Sequence, residues 1–277
     1  MRWRLLFLVM VMAPAVPPAG AMTVRGERPW VADRTLMTQL RDTGDSVVRP
    51  NATLWFDHDA LAPAQREEFA DLVSRGIADI ATWLGTKPTR RKLCYFVSEQ
   101  VDISHSRFGC VFLPLSRVRR RAAPYLHETT HLLVKCDQCP VWFSEGFASY
   151  LESEIAAHVG GYDGAIFTHH GNTGVDRDAA RWLKTPEGQA VIAYIGQDAE
   201  PADMSWNRGA VATPFYVFAQ SFVNFLAIHA GHDALRRLVQ ASEFDPAVNR
   251  ETGASVATWK RRWLASLTGA RPARKTH

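Results

Sequence analysis

The sequence predicts an α+β fold: a small mixed sheet with an edge strand lying over a histidine-bearing helix, followed by a mainly helical C-terminal lobe. Three observations predict it. The β-prone runs Thr53–Asp57, Lys92–Ser98 and Phe108–Leu113 all lie in the first half of the chain. A long run with helical spacing separates the first of them from the second, and beyond Pro124 the readable periodicity is that of helices. At 277 residues and 47% apolar content, the chain has material for one large or two small domains with a real core.

Residues 1–21 stand apart from the fold. Arg2 and Arg4 form a positive start, Leu5 to Met12 an apolar run, and Ala19-Gly20-Ala21 a small-residue cleavage site, the pattern of an export signal. The run is far short of the roughly 20 apolar residues that a membrane span needs. No later stretch is long and apolar enough to supply one. The mature chain is therefore expected to be secreted or periplasmic, with no stable membrane span. Arg2 and Arg4 are the only charges of this segment, so its removal lowers the formal net charge from +4 to +2. That balance makes no case for a nucleic-acid partner.

Residues 22–50 carry turn-formers and charges, Asp42-Thr43-Gly44-Asp45-Ser46 among them, and read as an irregular entry segment. The acidic cluster lacks the spaced ligands and distal Glu of a calcium loop. Asn51-Ala52-Thr53 is an N-glycosylation sequon for a host that uses it. From Pro63 to Leu84, apolar residues recur at helical spacing (Phe69, Leu72, Val73, Ile77, Ile80, Trp83), with Gly85 as the stop. This predicts a helix covering one face of the sheet.

Four cysteines in an exported chain suggest two disulfides, with three pairings open. Cys94 lies in one expected strand and Cys110 in the next, which favours Cys94–Cys110. Cys136 and Cys139 then close the turn after His131. A C-x-x-C pair can also be redox-active or bind metal, but a staple is the simpler role here. Arg117-Val118-Arg119-Arg120-Arg121 reads as a solvated basic loop, with recruitment of an acidic substrate or polymer as its functional alternative.

Residues 160–212 are loop-like, with Gly160-Gly161-Tyr162-Asp163-Gly164, His169-His170-Gly171-Asn172 and short helical pieces near Ala179–Leu183 and Gln189–Ile195. Thr213-Pro214 starts a strong helix that runs to Ala230 and is stopped by Gly231. A second helix begins at Gly231-His232, and a third spans Ser255–Leu267. The aromatic stripe Phe215, Phe218, Phe222 and Phe225 is read as core.

The chemistry concentrates in His127-Glu128-Thr129-Thr130-His131, followed by Trp142-Phe143-Ser144-Glu145-Gly146-Phe147-Ala148. Residues four apart on a helix share a face, so His127 and His131 can reach one ion, with Glu128 beside it as a general base. Glu145 can add an oxygen ligand from a second helix. Two imidazoles and one carboxylate leave a fourth tetrahedral position for water, the open arrangement of a catalytic zinc. Pro124 fits the first turn of the histidine helix. Ser144 reads as the cap of the glutamate helix, and Gly146 as a site of close helix approach. Ser149 or Glu152 is expected to orient a ligand, and the sequence does not choose between them.

Trp142 to Tyr150, Trp-x-x-Glu-Gly-x-Ala-x-Tyr, resembles the glutamate helix of the gluzincin metallopeptidases, the clan of thermolysin and the M1 aminopeptidases. The resemblance covers Leu126 to Glu152 closely and the later helices loosely. It implies a zincin-like domain over residues 51–277, with an N-lobe at 51–136 and a C-lobe at 137–270. It implies one catalytic Zn2+ on His127, His131 and Glu145, with Glu128 as base and a peptide or protein as substrate. By the same resemblance, Gly109 to Leu113 is the edge strand that pairs with extended substrate. Tyr216 is placed to donate to the oxyanion, with Tyr162, His169 and His170 as competitors. Two features depart from the clan. Only thirteen residues separate His131 from Glu145, and the Gly-x-Met-Glu-Asn anchor for a free amino terminus is absent. An exported endopeptidase is therefore expected, with an aminopeptidase or a non-catalytic zinc- or peptide-binding envelope module as the alternatives.

Overall fold

The computed structural model describes residues 29–86, 92–134, 136, 138–159, 171–199 and 210–269. The expected export signal at 1–21 lies outside them. In chain order the elements are α1 (Pro29–Thr43), β1 (Asp45–Val48), β2 (Ala52–Phe56), α2 (Pro63–Trp83), β3 (Leu93–Ser98), β4 (His105–Arg107) and β5 (Cys110–Pro114). Then come α3 (Leu115–Arg119), α4 (Tyr125–Leu133), α5 (Val141–Val159), α6 (Gly171–Trp182), α7 (Pro186–Val191), α8 (Ala212–Ala230), α9 (His232–Leu238), α10 (Phe244–Thr252) and α11 (Val256–Leu267). The chain is thus mixed α+β, with a five-stranded mixed sheet and a mostly helical remainder.

The strand order is β1-β2-β3-β5-β4. β2, β3 and β5 run parallel, and β1 and β4 pair antiparallel at the two edges. The parallel step from β2 to β3 needs a crossover, which α2 supplies. Alternation along the strands splits the core in two. Leu54, Phe56, Tyr95, Val97, Val111 and Leu113 face α2, α4 and the helical lobe. Phe96, Phe112 and Cys110 face the other way, onto Leu36 and Leu40 of α1.

Two expectations are corrected here. The irregular segment at 22–50 contains a helix and a strand, α1 and β1. Its helical signal is weak because, among its described side chains, Leu36 and Leu40 are the only deeply buried apolar ones, a stripe too narrow to stand out among charges. The second correction concerns the sheet edge. Gly109 to Leu113, expected there, maps onto β5, which is flanked by β3 on one side and β4 on the other. The edge on the β5 side is β4, a three-residue strand too short to show any alternation.

Both expected disulfides are present. Cys94–Cys110 joins directly paired positions of β3 and β5 with a Cα–Cα distance of 4.6 Å, and Cys136–Cys139 closes the turn between α4 and α5 at 5.2 Å. The basic run is not a loop throughout: Leu115 to Arg119 form α3, with Leu115 and Val118 buried. In the C-terminal lobe, α8 is buried along most of its length, and Phe215, Phe218, Phe222 and Phe225 are core. Its stop, Gly231, has φ +86, a region that suits glycine. Gly171 and Asn172, expected in a loop, begin α6, while α10 had no periodicity long enough to announce it.

Within the lobe, α5 and α8 approach each other closely through Gly146. A Cβ at that position would lie 2.5 Å from the Ala219 carbonyl oxygen, so only glycine lets the two backbones meet there. That contact sets α5, and with it Glu145, against the rest of the lobe. Among the described residues, no helix is long and apolar enough to cross a membrane.

Candidate metal centre

α4 is a nine-residue helix with Tyr125 to Thr130 all buried. So short a helix has little stability of its own, and packing holds it. From the sheet, the Tyr95 hydroxyl meets the Thr129 hydroxyl at 2.7 Å. From α2, Gly76 lies against Tyr125 and Leu126, where a Cβ would come within 2.5 Å of Leu126 Cδ2. The helix is entered at Pro124, one residue before its first turn rather than within it.

One face of α4 carries His127 and His131 toward α5, and there they meet Glu145. His127 Nε2 lies 3.1 Å from His131 Nε2 and 3.2 Å from Glu145 Oε2, and His131 Nε2 lies 3.6 Å from the same oxygen. Four ligands held tetrahedrally at zinc bond lengths of about 2.0–2.1 Å are separated by about 3.3 Å. The three edges of the observed triangle bracket that length. The three atoms converge on one point, and the residues present fit a zinc ion.

The second nitrogen of each ring is also committed. His127 Nδ1 lies 3.3 Å from the Ser149 hydroxyl, and His131 Nδ1 lies 3.4 Å from the Ser144 hydroxyl. A hydroxyl that accepts from Nδ1–H leaves the Nε2 lone pair directed at the metal position. Of the two expected orienting residues, Ser149 is the one beside a ring nitrogen. Glu152 instead meets the backbone N–H of His127, in the first turn of α4. Ser144 is corrected: α5 already begins at Val141, so Ser144 lies inside the helix and serves His131. The spacing was readable in principle, since 144, 145, 149 and 152 all fall on one face of a helix.

Electrostatics follow from burial and from this triangle. Burial alone would depress His131, but the adjacent Glu145 carboxylate reverses the sign and lifts its pKa to about 9. Burial pushes Glu145 up, yet His131 and His127 pull it well below the usual carboxylate range. Burial raises Glu128 and, more strongly, Glu152. Glu128 is 7% exposed and hydrogen-bonds to no described side chain, so its carboxylate remains available to a water or substrate. His105, on the edge strand β4, acts electrostatically on it. The His105 ring is fixed by Asp33 of α1 at 3.2 Å, the Ile103 carbonyl at 2.9 Å and a stack on Phe112.

Tyr216 of α8 is buried, with its ring centroid 6.2 Å from that of His127. It is therefore a neighbour of the triangle. Tyr162, His169 and His170 lie outside the described residues. Trp142 packs behind the site, stacked on Phe222.

No protein-family profile matches the chain, and no curated protein matches its sequence. Among solved structures, the chain is similar to a mutant M1 zinc metallopeptidase from Deinococcus radiodurans, at 18% identity and a TM-score of 0.44. That match covers 85% of this chain and 52% of the other, so this chain spans about half the length of that structure.

Proposed function

We propose that the chain is an exported zinc metallopeptidase that cuts within peptides. The observation that carries the reading is the convergence of His127 Nε2, His131 Nε2 and Glu145 Oε2 on one point, with the unengaged carboxylate of Glu128 beside it. A zinc ion held there would supply an electrophile that polarises a carbonyl and acidifies water. Glu128 takes the proton of the attacking water at its carboxylate and passes it to the departing amide nitrogen. Its burial suits this double role, since a carboxyl raised toward neutrality both accepts and returns a proton more readily. Tyr216 supplies a hydrogen bond to the developing oxyanion. Ser144 and Ser149 keep the two imidazoles in the tautomer that binds metal.

The substrate strand adds to β4 rather than to β5, because β4 is the edge and is the strand whose His105 acts on Glu128. The lack of a Gly-x-Met-Glu-Asn anchor favours internal cuts over removal of single residues from the amino terminus. The signal-like start and two disulfides favour a secreted or periplasmic location.

The test is a digest of a complex peptide mixture by the zinc-loaded protein, with new termini read by mass spectrometry and Glu128→Gln as the control. Internal cuts by the wild type, absent from a Glu128→Gln protein that still binds zinc, are expected. Equal products from both proteins would remove Glu128 as the base, and no products from either would favour a binding module.

A further inference from the structure

Four arginines lie between residues 117 and 121, and three are accounted for. Arg119 pairs with Glu99 and also reaches the Ala60 carbonyl, Arg121 pairs with Glu68 at 2.8 Å, and Arg120 is exposed. Arg117 differs from all of them. It is half-buried on α3, between the buried Leu115 and Val118, and its side chain makes no hydrogen bond or ion pair to a described residue. The charges that act on it are Arg120, Glu128 and Glu152. The two carboxylates act on it without clasping it. Glu152 is 3% exposed and its Oε1 has no partner among the described residues. A guanidinium drawn partly out of water, with its five donors unused by any described residue, is an expensive arrangement unless an anion completes it. The planar fork matches a carboxylate bidentately.

We propose that Arg117 is a specificity-determining residue that receives a carboxylate of the substrate close to the bond cut beside Glu128, making acidic peptides the preferred class. The carboxylate is either an Asp or Glu side chain or the free carboxyl terminus of the peptide. The proposal rests on the peptidase reading given above.

The experiment uses the zinc-loaded protein and the dicarboxylates from succinate to suberate, none of which is a peptide. Under the proposal, one carboxylate reaches the zinc while the other reaches Arg117 at a single matching chain length, so the series acts as a ruler. Affinities are compared with those of monocarboxylates of equal length. One chain length is expected to bind about tenfold tighter or more, and this gain should vanish in Arg117→Gln, persist in part in Arg117→Lys and be unchanged in Arg120→Gln. Thermal melts check that each variant is folded, and Arg117→Lys carries the test if Arg117→Gln is not. No gain at any length, or a gain that survives in Arg117→Gln, overturns the proposal.

Peptides then separate the two sources of the carboxylate. Preference for a free over an amidated terminus marks the α-carboxylate, and preference for Glu or Asp within two residues of the cut marks the side chain. A dicarboxylate gain without peptide cleavage would sink the peptidase reading alone. Cleavage with no acidic preference and no gain would sink the Arg117 proposal alone.

Discussion

Among the described residues, two clusters bring histidine and carboxylate ligand atoms within 4.8 Å of one another: His127, His131 and Glu145, and Asp45, His58 and Asp59. By distance alone they are equivalent, and by every other physical measure they differ. The first is set between α4 and α5 and is buried or half-buried. In the second, the His58 and Asp59 side chains are 69% and 83% exposed. Asp45 Oδ2 already accepts from Arg66 at 2.6 Å and from the Asp59 backbone N–H at 2.9 Å. His58 turns one ring nitrogen to Asp45 and the other to Asp59, so neither is reserved. In the first cluster each ring turns Nε2 inward and Nδ1 to a serine. A candidate metal site is thus distinguished less by proximity than by what else its would-be ligands are already doing.

The largest expected effect separates the two clusters outright. Glu145→Ala should reduce bound zinc from one per chain to a trace after dialysis, a loss of affinity of more than about 100-fold, beyond that of an outer-shell change. Asp45→Asn should leave zinc content at one. Elemental analysis of both variants makes the check, and zinc lost from Asp45→Asn would erase the distinction.

A smaller effect probes the orienting hydroxyls. Ser149→Ala and Ser144→Ala should each lower zinc affinity by about tenfold, the lower end of outer-shell effects, because a hydroxyl holds an imidazole less firmly than a carboxylate. Competition against a chelator of known affinity measures this. Unchanged affinity in both would mean that packing alone sets the rings.

The pH dependence sharpens the comparison further. His131 is raised to about 9 in the metal-free fold, above its ordinary value of 6.5. Its ion pair with Glu145 therefore stabilises the metal-free protein fully below pH 6.5, and that contribution fades as pH rises through about 9. Zinc must displace the same proton. Affinity should accordingly climb with pH up to about 9, and uptake at pH 7 should release about one proton. Calorimetry in two buffers of different ionisation enthalpy counts it.

The smallest effect belongs to the exposed cluster. The Asp59 backbone N–H bond, with help from Arg66 and His58, holds the Asp45 carboxyl below its ordinary value. Asp45→Asn should cost under about 1 kcal/mol at pH 7. Because a depressed carboxyl stabilises only while ionised, the difference between wild type and variant should close as the solution is taken into strong acid. Denaturant titration at two pH values reads it.

The legible parts of this chain were those with long or chemically specific signals. The helix from Pro63, the strands at β2, β3 and β5, the helix α8 and both disulfides followed from periodicity, β-propensity and cysteine placement. The grouping of His127, His131 and Glu145 followed from i, i+4 spacing and a second glutamate motif. The missed elements were short or narrowly buried. β4 has three residues and cannot display a period, and among the described side chains of α1 the deeply buried apolar ones are Leu36 and Leu40 alone. Since β4 was missed, the edge was assigned to its neighbour. Ser144 misled because a serine before a glutamate near a helix start has the chemistry of a cap. Only the fold reveals that α5 begins three residues earlier and that the hydroxyl points at His131. The distinction of Arg117 from Arg119, Arg120 and Arg121 depends on partners from distant segments, Glu99 and Glu68, that no local pattern names.

The central claim is that His127, His131 and Glu145 hold a zinc ion. X-ray absorption at the zinc edge of the purified protein tests it most directly. The account predicts one zinc per chain with a shell of nitrogen and oxygen only, at about 2.0–2.1 Å. A shell containing sulfur at about 2.3 Å would place the metal on Cys136 and Cys139 instead and contradict it.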